Sequence, residues 1–180
     1  MKKRLLAVFL LLACGAALAE GGFDEGLFLS RDAYSIGEAE DLLCIQPRGL
    51  DASAELVPDV LVIYPGEADE RALFRLWAAG DAEEITFAVD GVRYRFTPSH
   101  PEEGVSLIKI GKDSLPFLEA LEKAKEPVPV RLAGGSSPKD IRLSEDALEA
   151  VRDMYRLFVL AGGAEEDMLA LVDATPLEIY

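Results

Sequence analysis

Asparagine is absent from the chain, and histidine, glutamine and tryptophan occur once each. Each shortage removes a class of function. With one His and one usable Cys, since Cys14 lies in an N-terminal segment that is removed or lipidated, a zinc site of ordinary composition has too few nitrogen and sulfur ligands. The only imidazole, His100, lies in Thr97-Pro98-Ser99-His100-Pro101, which reads as a Pro-flanked surface loop carrying a solvated histidine. Nucleophilic catalysis requires a nucleophile, a base and an orienting group together, and no Gly-x-Ser-x-Gly elbow supports that arrangement. Without Asn, and with Trp77 expected in the core, the usual carbohydrate-binding side chains are also sparse.

Positive charge is scarce as well. The 180 residues carry 18 basic and 33 acidic side chains, a net charge of −15. Three of the bases, Lys2, Lys3 and Arg4, fall in the first nineteen residues, which contain no acid; the remainder stands at −18. Such a surface repels phosphate backbones and anionic headgroups, which argues against nucleic-acid binding and against a polybasic membrane dock. Calcium needs only oxygen ligands, but no twelve-residue Asp-x-Asp-x-Asp loop is present, and Glu165-Glu166-Asp167 reads as solvated charge at a helix start. Gly134-Gly135-Ser136-Ser137 lacks the spacing of a phosphate-binding loop and reads as a hairpin connection. There is no dinucleotide fingerprint, and no cofactor is implied.

The N-terminus is more informative. Met1 to Arg4 form a positive segment, Leu5 to Ala13 an unbroken apolar one, and small residues follow at Gly15, Ala16, Ala17 and Ala19. The apolar stretch is well short of the ~20 residues of a spanning helix, and the whole reads as a bacterial export signal. Two cleavage readings stay open. Ala17-Leu18-Ala19 fits a general signal-peptidase site, making residues 1–19 the signal and releasing a soluble protein from Glu20. Leu11-Leu12-Ala13-Cys14-Gly15 resembles a lipoprotein box, making residues 1–13 the signal and Cys14 the lipidated residue, the chain's sole membrane attachment. On either reading Cys44 has no intramolecular disulfide partner. It lies in the apolar run Asp41-Leu42-Leu43-Cys44-Ile45 and is expected to behave as a small buried hydrophobe, since no local cation or imidazole activates it.

Residues 20–180 show no internal repeat and are expected to form a single globular domain, long enough to bury about 70% of its unfolded surface. The best-determined piece is a hairpin around Asp90-Gly91, whose tolerance of positive φ suits a two-residue type I′ turn. That turn pairs Val89 with Val92, Phe87 with Tyr94 and Ile85 with Phe96, all apolar and all on one face. Residues 60–64, 105–110, 128–132 and 139–143 also read as strands, the last two joined across Gly134 to Pro138, and 27–29 reads as an edge strand. Residues 67–79 fit a helix by composition and a strand by the alternation of Phe74, Leu76 and Ala78.

One helix is expected after a cap at Asp113 or Ser114, with Leu115, Leu118 and Leu121 inward. A second follows Ser144, with Leu148, Val151, Met154, Tyr155 and Phe158 inward and a stop at Gly162-Gly163. A short third is expected within 164–172. Strands early and helices late predict an α+β fold: a largely antiparallel sheet with two or three helices concentrated in the C-terminal half.

Among the few basic residues after the signal, Arg93, Arg95, Lys109, Arg131 and Arg142 all fall on predicted strands. If those strands share a sheet, they form a positive stripe able to dock an acidic peptide, a carboxylate ligand or a second copy of the chain; otherwise neighbouring acids neutralise it in solvated pairs. What remains is an exported module of the bacterial cell envelope or periplasm, working by contact with an envelope protein or an anionic small ligand. Its expected partner-binding residues are Arg93, Arg95, Arg131 and Arg142. The alternative is an envelope hydrolase with a Ser/Lys or carboxylate site that no motif reveals.

Overall fold

At Asp90 and Gly91 the backbone turns with φ of 48° and 86°, the two positive values of a type I′ turn. The strands it joins pair Ile85 with Phe96, Phe87 with Tyr94 and Val89 with Val92, in the register the sequence pattern demands. The computed structural model describes residues 34–39, 42–48, 56–63, 71–125, 127–134, 138–160, 162–170 and 172–180. Cys14, Ala19 and the expected strand at 27–29 lie outside them.

In chain order the strands are β1 (Tyr34–Ala39), β2 (Leu42–Pro47), β3 (Leu56–Ile63), β4 (Arg71–Ala79), β5 (Glu84–Val89), β6 (Val92–Phe96), β7 (Ser99–Glu102) and β8 (Val105–Lys109). Helix α1 (Leu115–Lys123) follows, then β9 (Pro129–Ala133), β10 (Lys139–Arg142), helix α2 (Glu145–Leu160), the single-turn α3 (Glu166–Leu169) and β11 (Leu177–Ile179). Among the described residues they form two antiparallel sheets, one of six strands in the order β1-β2-β3-β4-β8-β7 and one of five in the order β10-β9-β5-β6-β11. The fold is α+β, with α1 and α2 both in the C-terminal half.

The ambiguous stretch resolves as strand. β4 pairs with β3 along eight residues and with β8 along five. Its helix-favouring Ala, Leu and Arg content yields to a period-two pattern: Ala72, Phe74, Leu76 and Ala78 are buried on one face, while Leu73, Arg75 and Trp77 alternate on the other. Residues 67–70 lie outside the described ones. The stretch read as a loop around His100 is instead β7, an exposed edge strand. Pro98 precedes the strand, and Pro101 is tolerated within it because an edge leaves N–H positions unpaired.

Both helices end as their residues dictate, with one difference. The Ser144 hydroxyl accepts the Ala147 N–H at 3.1 Å and caps α2. At the other end Gly163 N–H donates to Phe158 and Gly162 N–H to Val159, a Schellman closure with Gly162 at φ 74°. A Cβ on Gly163 would lie 2.2 Å from the Phe158 ring, so no other residue fits. Ser114 is the N-cap residue of α1, but its hydroxyl bonds Gly111 instead of a helix N–H. Pro116 in the first turn removes one of the donors a cap would serve.

The core is continuous between the sheets and helices. α2 lies on β2, β3 and β4, with Phe158 edge-on to Phe74 at 5.8 Å, and α1 packs on α2. The face that α1 buries is rotated from the expected one: Phe117 is fully buried, Leu115 only partly. Phe117 stands 4.7 Å from Phe87, 5.2 Å from Tyr94 and 5.0 Å from Phe96, so one ring closes the inner face of the β5–β6 hairpin. Where the chain leaves the six-stranded sheet for the five-stranded one, the buried Ser106 hydroxyl donates to Gly80 O at 2.6 Å and accepts the Ala82 N–H at 2.9 Å.

Candidate functional site

Because β5, β6, β9 and β10 are held in register by their inner residues, their alternate residues share the outer face of the five-stranded sheet. Two rows cross that face. The first runs Asp140, Arg131, Thr86, Arg95, Glu178, each opposite the next. The second runs Arg142, Pro129, Ala88, Arg93, Tyr180. Arg142 is opposite Pro129 and Ala88 is opposite Arg93, while Arg93 and Tyr180 exchange backbone hydrogen bonds at 2.9 and 3.1 Å. Ala88 lies beside Pro129 one step beyond the Phe87–Val130 pair. Small residues at mid-row and long ones at the ends leave an open groove of about 570 Å³.

The first row is neutralised internally. Arg131 grips Asp140 through Nε and Nη2 at 2.7 and 2.8 Å, and Arg95 bonds Glu84 and Glu178 while lying over the Tyr180 ring at 5.3 Å. The hydrogen bonds from Arg131 hold the Asp140 carboxyl below the usual carboxylate range. The second row differs. Among the described residues, neither Arg93 nor Arg142 has a carboxylate within ion-pairing distance, and both are exposed. Of the four arginines expected to bind a partner, all reach one face, two are already matched by acids and two are not. Lys109 does not join them. It lies on β8 in the other sheet, opposite Arg75, with its ammonium 3.9 Å from Asp173.

The six-stranded sheet carries a second polar cluster that composition did not reveal. Asp59 is 1% exposed although it points to the outer face, because Arg75 and Trp77 converge on it. Arg75 donates to it through Nε and Nη2, both at 2.7 Å, Trp77 Nε1 donates at 2.8 Å, and the Cys44 thiol at 3.5 Å. Arg75 also stacks over the indole at 4.9 Å. Trp77 is therefore a half-buried hydrogen-bond donor and not a core residue. Cys44 is half-buried in a polar setting, and tertiary structure brings it the cation its local sequence lacks, with Arg75 Nη2 3.7 Å away. That cation does not prevail: burial pushes the thiol above its ordinary value, Asp59 adds to the rise, and Arg75 opposes it. The cluster is internally satisfied and holds its thiol protonated, which suits a structural clamp better than a nucleophile.

His100 is exposed on β7. Among the described residues no group of three or more His, Cys, Asp or Glu side chains is placed to hold a metal ion. Glu165, Glu166 and Asp167 are exposed at the start of α3, where Lys112 pairs with Glu166. No described helix is long and apolar enough to cross a membrane. No family model matches the chain, and no curated protein or solved structure matches it.

Proposed function

We propose that the protein is an exported module of the bacterial cell envelope that works by contact with an anionic partner, and that the outer face of β10-β9-β5-β6-β11 is the contact surface. The export signal supports the location. One observation carries the surface: in a chain of net charge −15, Arg93 and Arg142 flank a groove and are matched by no acid among the described residues. Acids outnumber bases nearly two to one, so unmatched arginines on a shared face are the feature that solvated sheet composition does not account for.

The test is crosslinking in the native envelope. Arg93→Glu combined with Arg142→Glu sits on exposed positions, keeps the native circular dichroism and loses a crosslink that the unaltered protein makes. Lys123→Glu, a reversal on α1 that is also exposed, keeps that crosslink. If the double reversal retains every crosslink, the face is not the contact surface.

A further inference from the structure

Resting on that reading, we infer that the groove takes an extended acidic polypeptide segment with two carboxylates four residues apart, lying across the strands with one carboxylate on Arg93 and the other on Arg142. The two arginines occupy the same row on strands three positions apart, β6 and β10, with β5 and β9 between them. Three inter-strand steps separate their Cα atoms by roughly 14 Å. An extended chain advances about 3.3 Å per residue, so positions i and i+4 are about 13 Å apart and point the same way. A compact anion cannot reach both guanidiniums unless both side chains fold down over Ala88 and Pro129 to meet. The floor fits a backbone: Ala88 and Pro129 leave height for it, and the Thr86 hydroxyl offers a polar contact beside them. The carboxylates that also line the groove, Glu84 and Asp140, are engaged by Arg95 and Arg131, so the residual positive charge comes from Arg93 and Arg142.

The experiment uses the full chain without its signal and four probes at low ionic strength. Three are fluorescein-labelled nine-residue peptides of Ser, Thr and Gly bearing two Glu at i and i+4, two adjacent Glu, or two Gln at i and i+4; the fourth is inorganic phosphate, used as a competitor. Fluorescence anisotropy is expected to show the i,i+4 diacid binding several-fold tighter than the adjacent diacid, with the Gln peptide weakest. Arg93→Ala and Arg142→Ala each weaken the i,i+4 peptide by up to about fivefold, the upper range for one partly exposed ion pair. The double variant removes the spacing preference, and raising the salt weakens binding. Equal affinity for the two diacids, or displacement of both by phosphate at equal concentrations, overturns the extended-segment inference while leaving an anion-binding face. Failure of every probe to bind, or binding indifferent to both arginine substitutions, overturns the face together with it.

Discussion

Two arginine–aspartate pairs sit at directly opposed positions of neighbouring strands, one on each sheet: Asp59 with Arg75 across β3 and β4, Asp140 with Arg131 across β10 and β9. Their geometry is nearly the same, Nε and Nη2 on two carboxylate oxygens at 2.7–2.8 Å. Their surroundings are not. The first pair has 16% and 1% of its side-chain surface exposed, the second 59% and 66%. Hydrogen-bond geometry therefore does not set what a pair contributes; water does. In the first pair the charges have lost their solvent, and removing one partner strands the other. In the second, water replaces either partner at little cost, and the arginine stays free to exchange its carboxylate for another.

The sharpest break in that comparison comes from Asp59→Ala. It leaves the Arg75 guanidinium and the Trp77 indole N–H without their acceptor, and stability measured by urea denaturation is expected to fall by about 3 kcal/mol, the low end for breaking a buried pair because Arg75 keeps some access to water. Replacing both partners by apolar residues of similar volume, Asp59→Leu with Arg75→Met, recovers most of that loss, because no charge is then left uncompensated. If the double variant is no more stable than Asp59→Ala, stranded charge is not the cause.

Cys44 reports on the same cluster. At pH 8 it reacts with a disulfide reagent more slowly than a free thiol does, since burial and Asp59 keep it protonated. Asp59→Asn removes the opposing charge and leaves Arg75, so the pH midpoint of the reaction moves down and the rate at pH 8 rises several-fold. An unchanged midpoint in a variant with native circular dichroism contradicts the assignment of Asp59 as a cause of the shift.

A smaller effect concerns alkali. Tyr34 is pushed up to about 12, chiefly by burial, with Asp153 adding and Arg156 opposing; Tyr94 and Tyr155 are raised for the same leading reason. A phenol with a raised folded-state value binds its proton more tightly in the folded chain. Its contribution is complete below the unfolded value near 10 and is lost as pH rises from there toward 12. Denaturation midpoints followed from pH 8 to 11 are expected to hold and then decline. A rise across that range reverses the sign and contradicts the burial of these rings.

The smallest effect belongs to the exposed pair. Arg131→Ala leaves the melting temperature unmoved within measurement error, since both charges already stand in water and Asp140 stays hydrated when Arg131 is removed. A measurable drop shows that Asp140 and Arg131 are coupled to the fold in a way their exposure does not suggest.

The parts of the fold legible from residues alone were those with two local signals in agreement. Asp90-Gly91 and the alternation around it specify one register, and Ser144 with Gly162-Gly163 specify both ends of α2. Residues 71–79 carried two signals in conflict, and the partners on either side, β3 and β8, decided in favour of strand. Phe117 went unnoticed because the leucines of α1 already satisfied a helical period; its burial depends on Phe87, Tyr94 and Phe96, which lie 21 to 30 residues earlier in the chain. The four residues after Pro176 gave no strand signal, and β11 exists because β6 offers it an edge.

The candidate surface was legible by half. Composition and strand pattern named Arg93, Arg95, Arg131 and Arg142, and strand pairing brought them together while sending Lys109 to the other sheet. Which of them stay unmatched could not be read beforehand, because Glu84, Glu178 and Asp140 acquire their arginines only through strand pairing. The amino-acid order alone determines the turns, the caps and the alternation of faces, since these depend on backbone conformations and neighbours within a few residues. Tertiary structure alone decides that Asp59 is buried with Arg75, Trp77 and Cys44 and that Arg93 and Arg142 meet no carboxylate among the described residues, because desolvation and charge pairing depend on atoms that only the folded chain brings together.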